Sequence, residues 1–420
     1  MYYHRTIEKE LEKLGEEFAA ITIYGARQVG KSTVTEMVFG KKMGRVTLDD
    51  LEQRTLAQEN PRLFLEAHPY PLIIDEVQKA PELLDAVKIR IDDEKMKCLK
   101  EGKKVPLMYV LTGSNLTELD RKVSESLAGR TAIVHLASLA NNEIERVRGS
   151  IFNPDIQVIR EKYAKTEHAG LIETRKEIFA KIFQGGMPEY VASHPDRQAF
   201  FSSYVSTYLE KDVKSEIGNE KEGDFLRFLE FMALRTGQQL NYEDISRNLG
   251  LDGRTVRRWI NLLCRTGIAV LLEPYAKNLT DRIVRSQKFY FLDTGLCAWL
   301  CKWPNAEMLE NGVMNGAFFE TYAVSEIIKS FMNAGEDYRR YVYYYRDRDQ
   351  KEVDLIIDNQ DVIYPIEIKK GIAPVGRKFN FRFLSKYGKR VGTGLVLDSR
   401  SDVFPVNDEV WYVPLYMVGI

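Results

Sequence analysis

The chain has 420 residues, a formal net charge of −1, and a composition that is 44% hydrophobic and 29% charged. The apolar fraction excludes a disordered chain, and the net charge of −1 excludes a globally basic one. The length is sufficient for two or three domains of about 100–200 residues each. Because the net charge is close to zero, any contact with nucleic acid must come from a local basic patch.

The cysteines and the N-terminus indicate where the protein works. The chain has four cysteines, at positions 98, 264, 297 and 301, which form no C-x-x-C pair and no cluster with the five histidines. This pattern predicts neither a structural zinc site nor a disulfide framework, which is typical of a reducing cytosol. The stretch MYYHRTIEKELEKLGEEF (1–18) is charged and helix-like, unlike a signal peptide. No apolar run reaches the roughly 18 residues of a membrane span. We expect a cytoplasmic protein without a membrane segment.

The first motif predicts a phosphate-binding loop. ITIY (21–24) is typical of a buried strand, GARQVGKST (25–33) follows at once, and VTEMVFG then has a helical pattern. In this context backbone N–H groups and the helix N-terminus face phosphate, Lys31 reaches the β- and γ-phosphates, and the Ser32 hydroxyl binds Mg²⁺. ATP and Mg²⁺ are thus the predicted cofactors. The residues expected to contact ATP are Gly25, Ala26, Arg27, Gln28, Val29, Gly30, Lys31, Ser32 and Thr33.

The second motif predicts the acids that a P-loop requires. In YPLIIDEVQKAP (70–81), an apolar strand ends in Asp75 and Glu76. Ligands of an open parallel sheet bind at the carboxyl ends of its strands. We expect Asp75 to hold Mg²⁺, directly or through water, and Glu76 to orient and deprotonate the attacking water.

A third strand, LMYVLTGSN (107–115), ends in polar residues, among them Asn115. A polar side chain at this strand tip can bind the γ-phosphate or the water, and a simple turn is the alternative. RVTLDD (45–50) and TAIVHLASL (131–139) complete a set of about five strands. Strands that alternate with helical stretches predict a doubly wound α/β domain.

These motifs, in this order, resemble the AAA-type ATPases. SESLAGRTAIVHLASL (124–139), GGMPEYV (185–191) and YVSTYLEKDV (204–213) are similar to motifs of a bacterial and archaeal family of such ATPases. FYFLDTGLCAWL (289–300) resembles the domain of unknown function that follows its ATPase module. The resemblance implies that Arg130 acts on a γ-phosphate, its own or that of a neighbour in a homo-oligomer. The alternative is a structural arginine between a helix and a strand.

The middle of the chain has helical patterns and then a helix-turn-helix pattern. Residues 172–217 have apolar positions at helical spacing, and the resemblance implies that these helices form a lid over the nucleotide. Residues 224–275 predict two helices followed by the strands of a wing. Arg254, Arg257 and Arg258 lie near the start of the second helix, where a recognition helix meets a major groove. The alternative is a winged helix used for packing or for protein contact.

The last motif lies in YPIEIKKG (364–371). Residues i and i+2 of a strand share a face, so Glu367 and Lys369 are presented together. Upstream, Asp354 lies inside the apolar run VDLII, where an unpaired carboxylate is costly. Glu320 lies on a predicted amphipathic helix.

This order of a helix Glu, a strand Asp and Glu-x-Lys resembles the PD-(D/E)XK, restriction-endonuclease-like fold. The resemblance implies that Asp354 and Glu367 hold Mg²⁺ and that Lys369 positions water or stabilises developing charge. Glu320 would be a further ligand or would support one. The chain departs from the pattern where Val353 replaces the proline of Pro-Asp.

Together these patterns predict an α/β protein in four parts: a P-loop AAA-type ATPase core (1–145), a helical lid (146–220), a winged-helix domain (221–300) and a restriction-endonuclease-like α/β domain (301–420). The predicted function is ATP hydrolysis by a protein that acts on nucleic acid, with DNA as the candidate partner and Mg²⁺-dependent DNA cleavage as a candidate activity. The alternative is an ATP-gated regulator that binds nucleic acid or protein and does not cut. Glu76 disfavours a third class, a P-loop protein that binds ATP without turnover.

Overall fold

The computed structural model describes residues 1–113, 126–168, 170, 172–213, 222–276, 286–347, 349, 351–372 and 379–419. Within these residues, no helix combines the length and the apolar character needed to span a bilayer.

The N-terminal part is built on a five-stranded parallel sheet in the order β2-β3-β4-β1-β5. Its strands are β1 (Ala20–Tyr24), β2 (Gly44–Thr47), β3 (Leu72–Asp75), β4 (Tyr109–Gly113) and β5 (Thr131–His135). Around it lie α1 (Glu8–Glu17), α2 (Lys31–Phe39), α3 (Leu51–Glu59), α4 (Pro61–Ala67), α5 (Leu83–Glu101) and α6 (Asn141–Ile144). The prediction of a parallel α/β domain is confirmed.

The sheet has a hydrophobic core on each face. Successive side chains of a strand alternate between faces, so Ile21 and Ile23 of β1 join one core while Ala20 and Tyr24 join the other. All five residues of β1 are buried, as expected for a central strand covered by helices on both sides. This packing fixes the carboxyl end of β1, from which the P-loop starts.

Helices follow the sheet, as predicted for this region. They are α7 (Ile156–His168), α8 (Arg175–Gln184), α9 (Pro188–Ser193) and α10 (Arg197–Tyr208), and a π-helical turn (Leu209–Val213) continues α10. Apolar side chains at helical spacing on α8 and α10, such as Ile178, Ile182 and Tyr204, are buried in the larger core.

The next segment runs helix, strand, two helices, and two strands. The helices are α11 (Glu222–Ala233), α12 (Tyr242–Leu249) and α13 (Gly253–Arg265), and the strands β6 (Gln238–Gln239), β7 (Ala269–Leu272) and β8 (Lys288–Phe291) pair antiparallel in the order β6-β8-β7. The chain turns sharply between α12 and α13, because Gly250 ends α12 at φ 68° and Asp252 caps α13 by accepting the N–H groups of Arg254 and Thr255.

The C-terminal part begins with α14 (Thr294–Leu300), α15 (Ala306–Asn311) and the long α16 (Asn315–Met332). Its strands are β9 (Val342–Arg346), β10 (Glu352–Asn359), β11 (Val362–Ile368), β12 (Arg390–Val391), β13 (Gly394–Asp398), β14 (Phe404–Asn407) and β15 (Val410–Pro414). β9, β10 and β11 form an antiparallel meander, and β13 joins β11 in parallel. β15 extends the sheet in parallel beyond β13, β14 closes that edge, and β12 pairs with β11.

Two of the sequence motifs interlock where these parts meet. The Asp293 carboxylate accepts the N–H of Gly186 at 2.9 Å and that of Leu296 at 2.9 Å. A Cβ on Gly186 would lie 2.1 Å from the carbonyl oxygen of Leu139, and one on Gly295 would lie 2.3 Å from that of Gln184. GGMPEYV and LDTGL are therefore packing motifs that join the helices after the sheet to α14.

Candidate functional site

The P-loop joins β1 to α2, and its shape depends on close backbone packing. A Cβ on Gly25 would lie 2.1 Å from the carbonyl oxygen of Leu136, so only glycine fits there. Gly30 has φ 93° and immediately precedes the first residue of α2, Lys31. The loop thus ends at a helix N-terminus, where backbone N–H groups are free to bind an anion.

Lys31 is buried, and its ammonium donates to the loop's own carbonyl oxygens, at 2.9 Å to Gly25 and 2.8 Å to Ala26. Burial lowers its pKa to about 8, although the nearby charges of Glu76 and Asp212 act in the opposite direction. The lysine is therefore held at the loop, as the motif predicts, by neutral acceptors that a phosphate can replace.

Asp75 ends β3 and organises the polar groups beside the loop. Its Oδ1 accepts the Ser32 hydroxyl at 3.0 Å and also the Thr112 hydroxyl from β4, while Arg45 lies 3.1 Å from Oδ2. The Ser32 and Asp75 oxygens are adjacent and are the type that Mg²⁺ prefers, so these residues fit a magnesium ion. The sequence pointed to the tip of β4, and the polar side chain that meets Asp75 there is Thr112.

Glu76 directly follows Asp75 and has φ 58°. Its N–H lies 3.3 Å from the Thr112 hydroxyl oxygen, and its carboxylate accepts the side-chain amide of Gln78. Its charge raises the pKa of Lys31 more than any other neighbouring charge does. The two sequence-predicted residues, Lys31 and Glu76, are thus brought to one place.

A buried acid from the helical region reaches the same place. Asp212, in the π-helical turn, accepts two bonds from the Arg27 guanidinium of the P-loop, at 2.5 and 2.9 Å. Burial raises the pKa of Asp212, although Arg27 and Lys31 lower it. Sequence reasoning missed Asp212, although it is the final residue of the T-Y-L-x-[KR]-D motif, and π-helical turns are frequent at functional sites.

The P-loop also contacts the turn that follows α13. A Cβ on Gly267, which has φ 73°, would lie 3.1 Å from the Ala26 nitrogen and 3.7 Å from the Gly25 carbonyl carbon. Beside it, the hydroxyls of Thr266 and Tyr208 lie 2.9 Å apart. The end of α13 therefore rests on the start of the P-loop.

Arg130 lies at the amino ends of the strands, whereas the P-loop lies at their carboxyl ends. It precedes β5, whose Thr131 pairs with Ala20 at the start of β1, so a strand of roughly 15 Å separates it from the loop. Its guanidinium pairs with Asp92 at 2.7 and 2.8 Å. An action on ATP would require a neighbouring subunit, and that role stays a prediction. Asn115 lies outside the described residues.

An open cleft of about 1750 Å³ lies between α12 and α13. Arg254, Arg257 and Arg258 all line it and are exposed, and Arg257 lies over the Tyr242 ring at 4.7 Å. The opposite face of α13 is buried through Val256, Trp259, Ile260 and Leu263. Two further arginines line the cleft that the sequence reasoning did not select, Arg247 and Arg265. Helical spacing from Arg254, Arg257 and Arg258 would have found Arg265.

In the C-terminal part, Asp354 and Glu367 lie side by side. Their neighbours Leu355 and Ile366 pair across β10 and β11, and Asp354 accepts the N–H of Ile368 at 2.7 Å. Lys369 donates to Glu367, as their shared strand face predicts. Burial, together with the charges of Glu320 and Glu367, raises the pKa of Asp354.

Glu320 is bound by cationic and phenolic groups from another part of the fold. Lys288 of β8 lies 3.1 Å from its Oε1, and the Tyr290 hydroxyl donates to the same atom at 2.6 Å. Burial alone would lower the pKa of Lys288, but the charges of Glu320, Asp354 and Glu352 raise it above its usual range. No set of three acids, histidines or cysteines in the described parts of the chain is arranged to hold a metal ion. These residues, as arranged, do not fit the magnesium ion that the resemblance implies.

Comparison with known families supports the prediction for the N-terminal part. Residues 17–145 match the family model described as an AAA domain. This part of the chain is an AAA-type P-loop ATPase domain. Residues 175–307 match a domain of unknown function (DUF8612), and residues 315–418 match another (DUF4143).

Relatives of the whole chain carry no assigned activity. Uncharacterised proteins of Mycobacterium bovis and Mycobacterium tuberculosis are 25% identical over 400 residues, which are 94% of this chain and 79% of each relative. The Walker-type ATPase PABY2304 of Pyrococcus abyssi is a structural match at 14% identity and a TM-score of 0.43, over 71% of this chain and 96% of that one. Protein VC1899 of Vibrio cholerae matches at 10% identity and a TM-score of 0.19, over 96% and 95%. At these TM-scores, neither structure indicates the fold or the function of this chain.

Proposed function

We propose that this protein is an ATP-hydrolysing regulator that binds nucleic acid in the cleft between α12 and α13, and that its C-terminal domain does not cut. One observation carries the proposal: α13 has an arginine-rich face in the cleft and ends on the P-loop of the AAA domain through Gly267. A single helix thus links the two sites.

The charge of the cleft supports an anionic polymer as its ligand. Five arginines line it, whereas its carboxylates are Glu243 and Asp252, and Asp252 is already used in capping α13. In the part of the chain that the structure describes, no carboxylate lies within ion-pair distance of Arg254, Arg258 or Arg265. Exposed guanidinium groups on one helix face are suited to phosphate oxygens along a groove. The helix, strand and turn order around α13 supports the winged-helix prediction.

The groups at the P-loop support hydrolysis as well as binding. Lys31 can exchange its bonds with carbonyl oxygens for bonds with phosphate oxygens, and Ser32 and Asp75 can hold the ion that accompanies ATP. Mg²⁺, when bound, neutralises charge on the β- and γ-phosphates. Glu76 has a carboxylate beside this place and can take a proton from water.

A second candidate function is metal-dependent cleavage of nucleic acid by the C-terminal domain. The adjacency of Asp354 and Glu367, with Lys369 next to them, supports it. The antiparallel meander with β13 joined in parallel also supports a restriction-endonuclease-like fold. The binding of Glu320 by Lys288 and Tyr290 favours the regulator, because a metal ion would compete with these groups.

The test measures ATP turnover with and without DNA, in Mg²⁺, and reads DNA integrity in the same tube. We expect turnover that responds to DNA, with the DNA left intact. Glu76→Gln should lower turnover by at least about 100-fold, the lower limit for the loss of a general base. Lys31→Ala should remove ATP binding, because the other cation of the loop, Arg27, is already paired with Asp212.

The matched control is Lys42→Ala, which removes an exposed lysine beyond the end of α2. It should behave as the wild type. Unchanged turnover in Glu76→Gln would refute the role of Glu76, and turnover that ignores DNA would refute the link between the two sites. DNA cleavage that disappears in Asp354→Ala would establish the second candidate instead.

A further inference from the structure

Lys288 lies where the middle part of the fold meets the C-terminal part. It starts β8, the central strand of the three-stranded sheet, and it is 3% exposed. Its ammonium is 3.1 Å from Oε1 of Glu320 on α16 and 2.7 Å from Oε1 of Glu352 on β10. One buried lysine therefore joins two carboxylates from two elements of the C-terminal part.

Tyr290 completes this arrangement from the same strand. Residues 288 and 290 share a strand face, and the Tyr290 hydroxyl donates to the Glu320 oxygen that Lys288 also contacts. Strand β8 thus presents an amine and a phenol to one carboxylate. Oε1 of Glu320 is therefore bound twice.

The carboxylates around Lys288 need a compensating positive charge. Within the described residues, the cationic contacts of the four carboxylates Glu320, Glu352, Asp354 and Glu367 are Lys288, Lys369 and, at 3.9 Å, Arg346. Burying carboxylates without a compensating charge is costly, and removing one partner of a buried ion pair leaves the other uncompensated. Lys288 is the most buried of these cations, with its side chain 4% exposed against 27% for Lys369 and 37% for Arg346.

We infer that Lys288 is the resident cation of this carboxylate cluster and that it occupies Glu320, which the resemblance assigns as a metal ligand or as support for one. The cluster is composite, because its cation comes from the middle part and its acids come from the C-terminal part. It fastens β8 to α16 and β10, and as arranged it binds no metal. This inference goes beyond the proposed function and does not depend on ATP turnover.

The first test is metal binding by the wild-type protein without nucleotide. Mn²⁺ is titrated and the free ion is followed by electron paramagnetic resonance, with Asp354→Asn measured in parallel. Only binding that Asp354→Asn removes is counted, so that Mn²⁺ held at Ser32 and Asp75 does not contribute. We expect no such difference at millimolar Mn²⁺. One Mn²⁺ per chain in the wild type that is absent in Asp354→Asn would overturn the inference.

The second test is thermal unfolding in EDTA. Lys288→Met should lower Tm by roughly 3–6 °C, because it leaves the partly buried carboxylates of Glu320 and Glu352 without this cation. The matched control is Lys302→Met, whose side chain is 75% exposed and pairs with Glu230, and it should shift Tm far less.

Charge compensation separates this role from simple packing. In Lys288→Met/Glu320→Gln one of the two uncompensated carboxylates is gone, so Tm should recover part of the decrease. Lys288→Arg keeps the charge and should stay closer to the wild type than Lys288→Met. Equal decreases in Tm for Lys288→Met and Lys302→Met, or no recovery in the double variant, would overturn the inference. If Lys288→Met does not fold, the Mn²⁺ titration of the wild type still decides it. A failed ATPase assay would leave both tests unaffected.

Discussion

The surroundings of Lys31 suit an anionic ligand. Its ammonium is almost fully buried, yet within the described residues no carboxylate lies within ion-pair distance of it, and its bonds are to two carbonyl oxygens. Neutral acceptors compensate a buried charge only in part, so its pKa falls to about 8. A triphosphate would supply the missing negative charge.

This geometry predicts proton uptake when ATP binds. The folded-state pKa lies below the usual value of about 10.4, so the unfolded chain binds more protons at this group between those pH values, and the free energy of unfolding rises with pH there. Phosphate restores the protonated form. At pH 9 we expect ATP binding to take up nearly one proton, measured by calorimetry in two buffers of different ionisation enthalpy. At pH 7 the lysine is already protonated and the uptake should nearly vanish; equal uptake at both pH values would contradict this account.

Asp212 and Arg130 show that a sequence motif does not reveal how far a residue lies from the P-loop. Both belong to motifs similar to those of AAA-type ATPases, and both carry a charge that could serve a nucleotide. The structure places the Asp212 carboxylate on the P-loop arginine Arg27, whereas Arg130 pairs with Asp92 at the far edge of the sheet. The motifs name the residues, but the parallel register of β1 and β5 places Arg130 at the amino ends of the strands. The π-helical turn after α10 brings Asp212 to the P-loop at their carboxyl ends.

At the scale of elements, α13 shows most clearly how a sequence pattern determines which face of a helix is buried and which is exposed. Apolar residues at helical spacing turn one face into the core, and the arginines are left on the other. The cap by Asp252 and the turn at Gly250 set its angle against α12, and the cleft follows from that angle.

The exposed face of α13 predicts a salt-dependent affinity for DNA. Each lysine or arginine that no longer neutralises a phosphate should flatten the slope of log K against log salt by about 0.9. Replacing Arg254, Arg257 and Arg258 by Ala should therefore weaken binding and flatten the slope by about 2–3, measured by fluorescence anisotropy at several salt concentrations.

The matched control removes the same charge from a different surface. Arg339, Arg382 and Arg390 are exposed on the C-terminal part, and their triple Ala variant should keep the wild-type slope. If both triple variants flatten the slope equally, the field of the whole protein attracts DNA and the cleft is not the site.

At the scale of the whole molecule, the AAA domain is not separate from the rest. One hydrophobic core contains side chains from the parallel sheet, the middle helices and the C-terminal sheet. The middle part touches the P-loop through Asp212 on Arg27 and through Gly267 at Ala26. A phosphate that moves the loop therefore acts on the groups that support α13.

This contact predicts reciprocal binding. If a non-hydrolysable ATP analogue changes DNA affinity by some factor, DNA must change the affinity for the analogue by the same factor, which for typical linkage is about 5- to 150-fold. Both affinities are measured by anisotropy against ADP as the reference. Tyr208→Phe should reduce this factor, because it removes the hydroxyl contact with Thr266 beside Gly267.

Tyr204→Phe is the matched control. Its buried hydroxyl has no hydrogen-bond partner within the described residues, so its removal should leave the factor unchanged. A factor of one in the wild type, or the same reduction in both variants, would show that the contact at Gly267 does not transmit nucleotide binding.

Several structural features of this protein could be predicted because residues that are close together in the chain determine them. The strand, loop and helix around Lys31, the acids at the end of β3, the inner and outer faces of α13 and the shared face of Glu367 and Lys369 each depend on residues that are close in the chain. Local geometry fixes such groups before any distant contact forms. The match of residues 17–145 to an AAA domain agrees with the first of these.

Which distant groups meet depended on the tertiary structure alone. Asp212 reaches Arg27 across 185 positions, Gly267 rests on the P-loop, and Lys288 enters an acid cluster that the sequence had assigned to a metal. The sequence pattern identified Glu320, Asp354 and Glu367, because a helix pattern and strand alternation are local; it did not identify Glu352. It did not identify their cation, because the energy of a buried charge depends on whatever the fold brings within a few ångströms of it.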